Sequence, residues 1–264
     1  MRKQQLVAVI AAIFAYTVWD QLRRSISPWI DSTLTAIGVP HLIVQLILLV
    51  LPQVLLLEVV LKLLFLSLTF RSPKFVPAQP EDWKGFNQDK LNDDTSELEK
   101  LGFVYLTDYR VLSHRVIARL FAHPQKFCFA ELGQHEDFPM FCSISFSLEK
   151  QWSVAVTNMP SFAISFAFLW QPRDLIKYFE NTSENMMFQA LLDLREQVSR
   201  DLGLELVQDM RAETYFELER KRTRDRRRSF LYSSVIWRLL KWLWFSLNPQ
   251  DEYLGAYSKL NGKR

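Results

Sequence analysis

The run Leu42–Phe70 (LIVQLILLVLPQVLLLEVVLKLLFLSLTF) constrains this chain more than any other feature, because its 29 positions hold only two charges, Glu58 and Lys62. Apolar runs of about 18 residues or more are candidates for crossing a bilayer. As one helix rising ~1.5 Å per residue it would reach about 43 Å, whereas the hydrocarbon core is about 30 Å thick. The helix must therefore tilt, or one end must leave the core. Pro52 removes a backbone hydrogen bond and marks a point for a kink. Glu58 and Lys62 stand four apart in the favourable order for a helix ion pair. The expected arrangement is an intramembrane pair near the cytoplasmic interface, with Lys62 reaching outward. Charges in lipid are also functional suspects, so a contact with a partner helix competes with that arrangement.

A second apolar run, Leu6–Trp19, follows Arg2 and Lys3 and ends at Asp20-Gln21-Leu22-Arg23-Arg24. It has the size of a signal-peptide core, but no small-residue cleavage site follows. An uncleaved helix over about 5–24 is the expectation. Two spans (about 5–24 and 42–70) then make a membrane region of residues 1–70. Arg2, Lys3, Arg71 and Lys74 flank the outer ends, and Arg23 and Arg24 the connector. Positive flanks stay in the cytoplasm. The expectation is a multi-pass protein of a bacterial-type inner membrane, with its large domain cytoplasmic.

Charge is segregated beyond residue 70. Residues 71–230 carry 22 basic and 24 acidic side chains, yet six of the basic ones fall within Lys221–Arg228 (KRTRDRRR). The rest of that stretch is acidic, which argues against nucleic acid as a ligand, since phosphate backbones need a broad basic face. Two cysteines, Cys128 and Cys142, and four scattered histidines give no metal-site spacing and no disulfide framework. No Gly-rich phosphate loop, nucleophile elbow or HExxH motif occurs, and the reading expects no cofactor. His135-Glu136-Asp137 clusters three ionisable groups, but on a solvated hairpin loop.

Residues 71–94 read as a Pro-rich linker, with Asp93, Asp94 and Thr95 capping a short helix that ends at Gly102. From Phe103 to Leu169 the period becomes two. VYLTDYRV, VIARLFAH, KFCFAEL, MFCSISF, WSVAVTN and ISFAFLW each read as a strand separated by short loops. The expected fold is an α+β cytosolic domain (95–229), an antiparallel meander of five to six strands with helices packed on one face. Pairing Leu132 with Phe138 would set Cys128 opposite Cys142. Cys128, Ala130, Met140, Cys142 and Ile144 would then face the core. Phe127, Phe129, Glu131, Phe141, Ser143 and Ser145 would take the other face, where covering helices or an apolar ligand could lie. Arg173–Glu180 reads as one or two helical turns. Met187, Leu191, Leu194, Val198 and Leu202 then mark a helix capped by Thr182 or Ser183 and stopped by Gly203. A highly charged helix from about Gln208 to Arg226 should project or bind a rim.

Phe230–Leu247 (FLYSSVIWRLLKWLWFSL) has a narrow stripe of Ser234, Arg238 and Lys241 against a wide apolar face. With the preceding basic run it describes an interfacial helix; packing on the protein itself, or a third span, are the alternatives. Anionic headgroups would meet Arg222, Arg224, Arg226, Arg227, Arg228, Trp237, Arg238, Lys241, Trp242 and Trp244. Residues 248–264 read as a polar tail. The expected partners are an anionic bilayer and another membrane protein. The expected function is a membrane-anchored binding or regulatory module acting through protein or lipid contacts. A membrane-bound enzyme with a pocket on the sheet, and an accessory subunit of a transporter, are the alternatives.

Overall fold

The computed structural model describes residues 17, 20–21, 24–25, 28–34, 36, 38–68, 73–79, 87–112, 116–135, 139–159, 173–180, 182–248 and 251–257. The first expected span and the expected strand ISFAFLW fall largely or wholly outside them. The chain divides into two compact units, Met1–Phe70 with Ser233–Ile236, and Arg71–Tyr232 with Trp237–Arg264.

The first unit is built on helix α1, His41–Leu68. Its stretch His41–Leu66 is long and apolar enough to cross a membrane by length and composition. Leu42, Leu46, Leu49, Leu57 and Leu64 are all exposed. Helix runs through position 52 without a break, so Pro52 does not end the element.

The second unit is an eight-stranded sheet whose spatial order follows the sequence: β1 Phe75–Pro77, β2 Val104–Val111, β3 Val116–His123, β4 Cys128–His135, β5 Phe141–Ser147, β6 Ser153–Thr157, β7 Asp174–Tyr178 and β8 Glu252–Tyr253. All neighbours are antiparallel except β6 and β7, which run parallel. The sheet is thus two to three strands wider than expected. Asp174–Tyr178 is a strand rather than a helical turn: Leu175 is fully buried, and its backbone pairs with Ser153–Thr157. Five residues, DLIKY, are too few to distinguish the two states by period alone. Nor is the C-terminal segment merely a polar tail. Glu252–Tyr253 pairs with β7, and buried Tyr257 donates its hydroxyl to Asp201 at 2.6 Å.

The β4–β5 register differs from the expected one by four residues. Leu132 faces Cys142, and Gly133 faces Phe141, so the two thiols do not stand opposite. In the turn before β4, Phe127 takes a left-handed φ of 52° and its N–H donates to His123 O, and the strand starts at Cys128. At the far end Gly133 lets the strand continue to His135, because the Phe141 ring occupies the space a Cβ would fill. A slip of four keeps every side chain on its face. Cys128, Ala130, Met140, Cys142 and Ile144 accordingly lie in the main core, with Leu132, Phe146, Val154, Val156 and Leu175.

Helices cover both faces of the sheet, not one. The main core is closed by Leu91 and Leu98 of α2 (Gln88–Lys100) and by Met187, Phe188, Leu191 and Val198 of α3 (Glu184–Leu202). Gly203, at φ 61°, stops α3 in the left-handed cap the sequence signals. The opposite face carries Tyr109, Ala118, Leu120, Ala122 and Phe129 beneath Tyr215 of α4 (Ala212–Leu231). The last helix, α5, is Val235–Leu247.

Candidate functional site

Helix α4 presents Tyr215, Glu219, Arg222 and Arg226 at three- and four-residue spacing, hence on one side of the helix. That side faces the sheet. The Tyr215 hydroxyl donates to Glu131 Oε2 at 2.6 Å, and its ring lies 5.2 Å from Phe129. Phe75 stacks on Phe216 at 4.6 Å, and Tyr109 meets Phe216 edge-on. Aromatic rings of α4 therefore fill the second face where an apolar ligand was one expectation.

Further along, Arg222 is buried. It pairs with Glu219 and donates to Ser147 Oγ at 2.7 Å. Arg226 reaches Asp174 at 3.2 Å. Two carboxylates, Glu131 on β4 and Glu219 on α4, are held in opposite senses. Burial pushes Glu131 above the ordinary carboxylate range. Burial also acts upward on Glu219, but Arg222 and Arg226 outweigh it and hold the group below that range. Burial and the nearby Glu131 raise the Tyr109 and Tyr215 hydroxyls well above a free phenol, so both stay protonated donors.

Beside this network is a cavity of about 460 Å³ lined by Gln151, Arg173, Asp174, Arg222, Asp225, Arg226, Arg228, Ser229 and Tyr232. Lys150 and Gln151 both sit in left-handed backbone, at φ 53° and 64°, a conformation that costs non-glycine residues energy. Arg173 braces that turn by donating to Lys150 O at 2.8 Å.

In the first unit, Glu58 and Lys62 form the expected pair, at 3.2 Å. Glu58 does more than the sequence indicates. Its Oε1 accepts the Val235 N–H at 2.6 Å, and its Oε2 accepts the Ile236 N–H at 3.0 Å and the Ser234 hydroxyl at 3.2 Å. These are donors that the first turn of a helix leaves without intrahelical partners. A carboxylate there also meets the positive end of the helix dipole.

The residues expected at a membrane surface divide. Arg224, Arg227 and Arg228 are exposed. Arg222 turns inward to Glu219 and Ser147, so it offers no charge to a headgroup, and Arg226 is half-buried against Asp174. Trp237 and Trp244 are exposed, at 60% and 69%, together with Leu240, Leu243 and Leu247. Lys241 is exposed and lies over the Trp237 ring at 5.8 Å, and Trp242 is half-buried. Arg238 is half-buried and donates to the Ser229 hydroxyl at 2.9 Å. The outward face of α5 is thus mostly apolar with Lys241 on it, and its arginine is half-buried against Ser229.

Glu131, Tyr215, Glu219, Ser147, Arg173, Asp174 and Gln151 were not among the residues the sequence singles out for a site. One signal existed: Glu131 is the lone charge in the apolar strand CFAEL. Comparison with protein-family models, with curated proteins and with solved structures found no match.

Proposed function

We propose that this protein is a membrane-anchored binding module. In this reading α1 crosses the bilayer, the expected helix at about 5–24 crosses it a second time, and the sheet domain works in the cytoplasm through lipid or protein contacts. The observation that carries the reading is the outward stripe of α5, Trp237, Leu240, Trp244 and Leu247, one turn or so apart on a helix whose arginine is half-buried against Ser229. In water that stripe leaves large apolar side chains unsatisfied, and contiguous apolar patches mark interaction sites. A Trp-rich apolar face next to exposed Arg224, Arg227 and Arg228 suits an interface with anionic headgroups, to which each basic residue contributes about 1 kcal/mol near the surface. Glu58 and Lys62 are already satisfied by Val235, Ile236 and each other. A transporter subunit, which would turn them to a partner helix, draws less support.

The test uses the full-length protein in vesicles containing phosphatidylglycerol. Spin labels at Leu240→Cys and Leu247→Cys should show higher accessibility to oxygen than to a polar nickel reagent. Water-like accessibility at both positions would sink the interfacial placement. Exposed Met186 reports orientation. Met186→Cys should react with an impermeant maleimide in inside-out vesicles and not in right-side-out ones, and the reverse would place the domain outside.

A further inference from the structure

The cavity beside α4 has the chemistry of a ligand site. Its volume, about 460 Å³, falls in the range of roughly 300–1,000 Å³ usual for small-molecule pockets. Four arginines (Arg173, Arg222, Arg226, Arg228) line it against two aspartates (Asp174, Asp225), an excess of positive charge. Arg222 is buried and oriented by Glu219 and Ser147, so it is fixed in place before any ligand arrives. Arg226 is likewise held at Asp174. Arg173 and Arg228 are exposed at the rim. Guanidinium forks recognise phosphate oxygens in pairs of charge-assisted hydrogen bonds.

A second observation narrows the ligand. Gln151 lines the cavity, and its buried Oε1 finds no hydrogen-bond partner among the described residues. A buried acceptor without a donor costs about 1–3 kcal/mol, and here it is held by two consecutive strained residues, Lys150 and Gln151. A phosphate ester held by arginines has lost most of its second proton above its pKa of about 6, whereas a polyol hydroxyl always carries one to donate. Backbone strain kept at a cavity wall is itself a mark of a site.

We infer that this cavity binds the phosphate ester of a small polyol, with Arg173 and Arg228 closing on the phosphate and Gln151 accepting from a hydroxyl. The same chemistry has two sources, a soluble phosphate ester or the headgroup of a glycerol-based anionic lipid. The lipid source rests on the membrane placement proposed above; the soluble source does not.

The experiment is calorimetric titration of the full chain in neutral detergent with sn-glycerol 3-phosphate, short-chain phosphatidylglycerol, inorganic phosphate and glycerol. The ester should bind saturably and more tightly than inorganic phosphate, and glycerol should give no heat. In Arg173→Gln/Arg228→Gln, checked for unchanged circular dichroism, ester binding should weaken about tenfold or more, as expected for lost charge-assisted bonds. Gln151→Leu should erase the preference for ester over inorganic phosphate. Lipid binding that the double variant weakens supports a headgroup source, and ester binding without lipid binding supports a soluble one. Absence of ester and lipid binding, equal binding of inorganic phosphate, or binding untouched by the double variant overturns the inference. Lipid binding that the double variant leaves unchanged overturns the cavity assignment yet leaves the membrane placement standing.

Discussion

The Tyr215 hydroxyl donates to Glu131 at 2.6 Å across 84 positions of sequence, and this bond fixes α4 on the second face of the sheet. Burial raises the proton affinity of Glu131 in the folded chain. Between the ordinary carboxylate pKa and the raised one, the folded state therefore holds more protons than the unfolded state. Stability from this group falls as pH climbs through that window. Glu131→Gln keeps an oxygen for Tyr215 and removes the buried charge. It should match or exceed the parent in chemical denaturation at pH 7.5 and show a flatter pH dependence above the ordinary carboxylate pKa. Tyr215→Phe should lose about 1–2 kcal/mol at pH 7.5, and the loss should shrink on acidification. An equal loss at both pH values would count against this account.

Glu219 behaves in the opposite sense. Burial works against its charge, but Arg222 and Arg226 dominate and depress its pKa. Its contribution is present above the ordinary carboxylate pKa and is lost as pH falls through the depressed one. Glu219→Gln removes the carboxylate that pairs with buried Arg222, leaving the Ser147 hydroxyl and the more distant charge of Asp174, and breaking one side of such a pair costs about 3–5 kcal/mol. The midpoint of urea unfolding at pH 7 should drop accordingly, and the acid limb below about pH 4.5 should flatten. A change under 1 kcal/mol would show that Arg222 is stabilised from elsewhere.

These two residues show where sequence reading stops. The strands β2 and β3 stand where alternation of Val, Leu, Ile and Phe puts them, and Met187, Leu191 and Val198 are buried as their spacing demands. Helix α4 defeats the same reasoning. A stripe of Tyr, Glu, Arg and Arg at helical spacing looks like a solvated face, because the partners that accept its hydrogen bonds lie in distant strands: Glu131 in β4, Ser147 in β5, Asp174 in β7. One member of the α5 polar stripe departs from expectation for a similar reason. Arg238 is polar in sequence but turned in by Ser229 nine residues earlier. The sense of the strand faces survives even where pairing fails, since an even slip conserves alternation.

The β4–β5 pairing depends on Gly133. A Cβ there would lie 2.5 Å from Phe141 Cζ, within the buried ring's own volume. Gly133→Ala should cost about 1–3 kcal/mol through overpacking, read as a lower thermal midpoint. Pairing it with Phe141→Leu should recover part of the loss, because the smaller side chain vacates the space. A double variant no better than Gly133→Ala would mean that backbone, not the ring, sets the constraint.

Cys128 and Cys142 are buried in the main core, and the register sets Cys142 against Leu132. Burial pushes the Cys128 thiol up to about 12, and Cys142 also rises well above a free thiol. Thiolate is the reactive form. Maleimide should therefore label neither cysteine in the native protein at pH 8, and both after denaturation, with no disulfide to reduce first. Rapid native labelling of Cys128 would show that the β3–β4 turn opens.

Glu58 closes the first turn of α5 through the Val235 and Ile236 N–H groups, 177 and 178 positions away in sequence. Both carboxylate oxygens are engaged, so an isosteric amide cannot replace it fully: Glu58→Gln keeps one acceptor, and Glu58→Ala keeps none. Losing a cap costs about 1 kcal/mol typically, and the loss is concentrated at the donors it satisfied. Amide hydrogen exchange at Val235 and Ile236 should accelerate several-fold in Glu58→Gln and about tenfold in Glu58→Ala, since 1.4 kcal/mol corresponds to a factor of ten. Lys62→Gln removes only the companion charge and should change exchange there less than Glu58→Gln does. Amides of β3 and β4 serve as the internal control and should keep their rates. Uniform acceleration across the sheet would mean that Glu58 acts on global stability. Unchanged exchange at positions 235 and 236 would mean that other acceptors hold the start of α5.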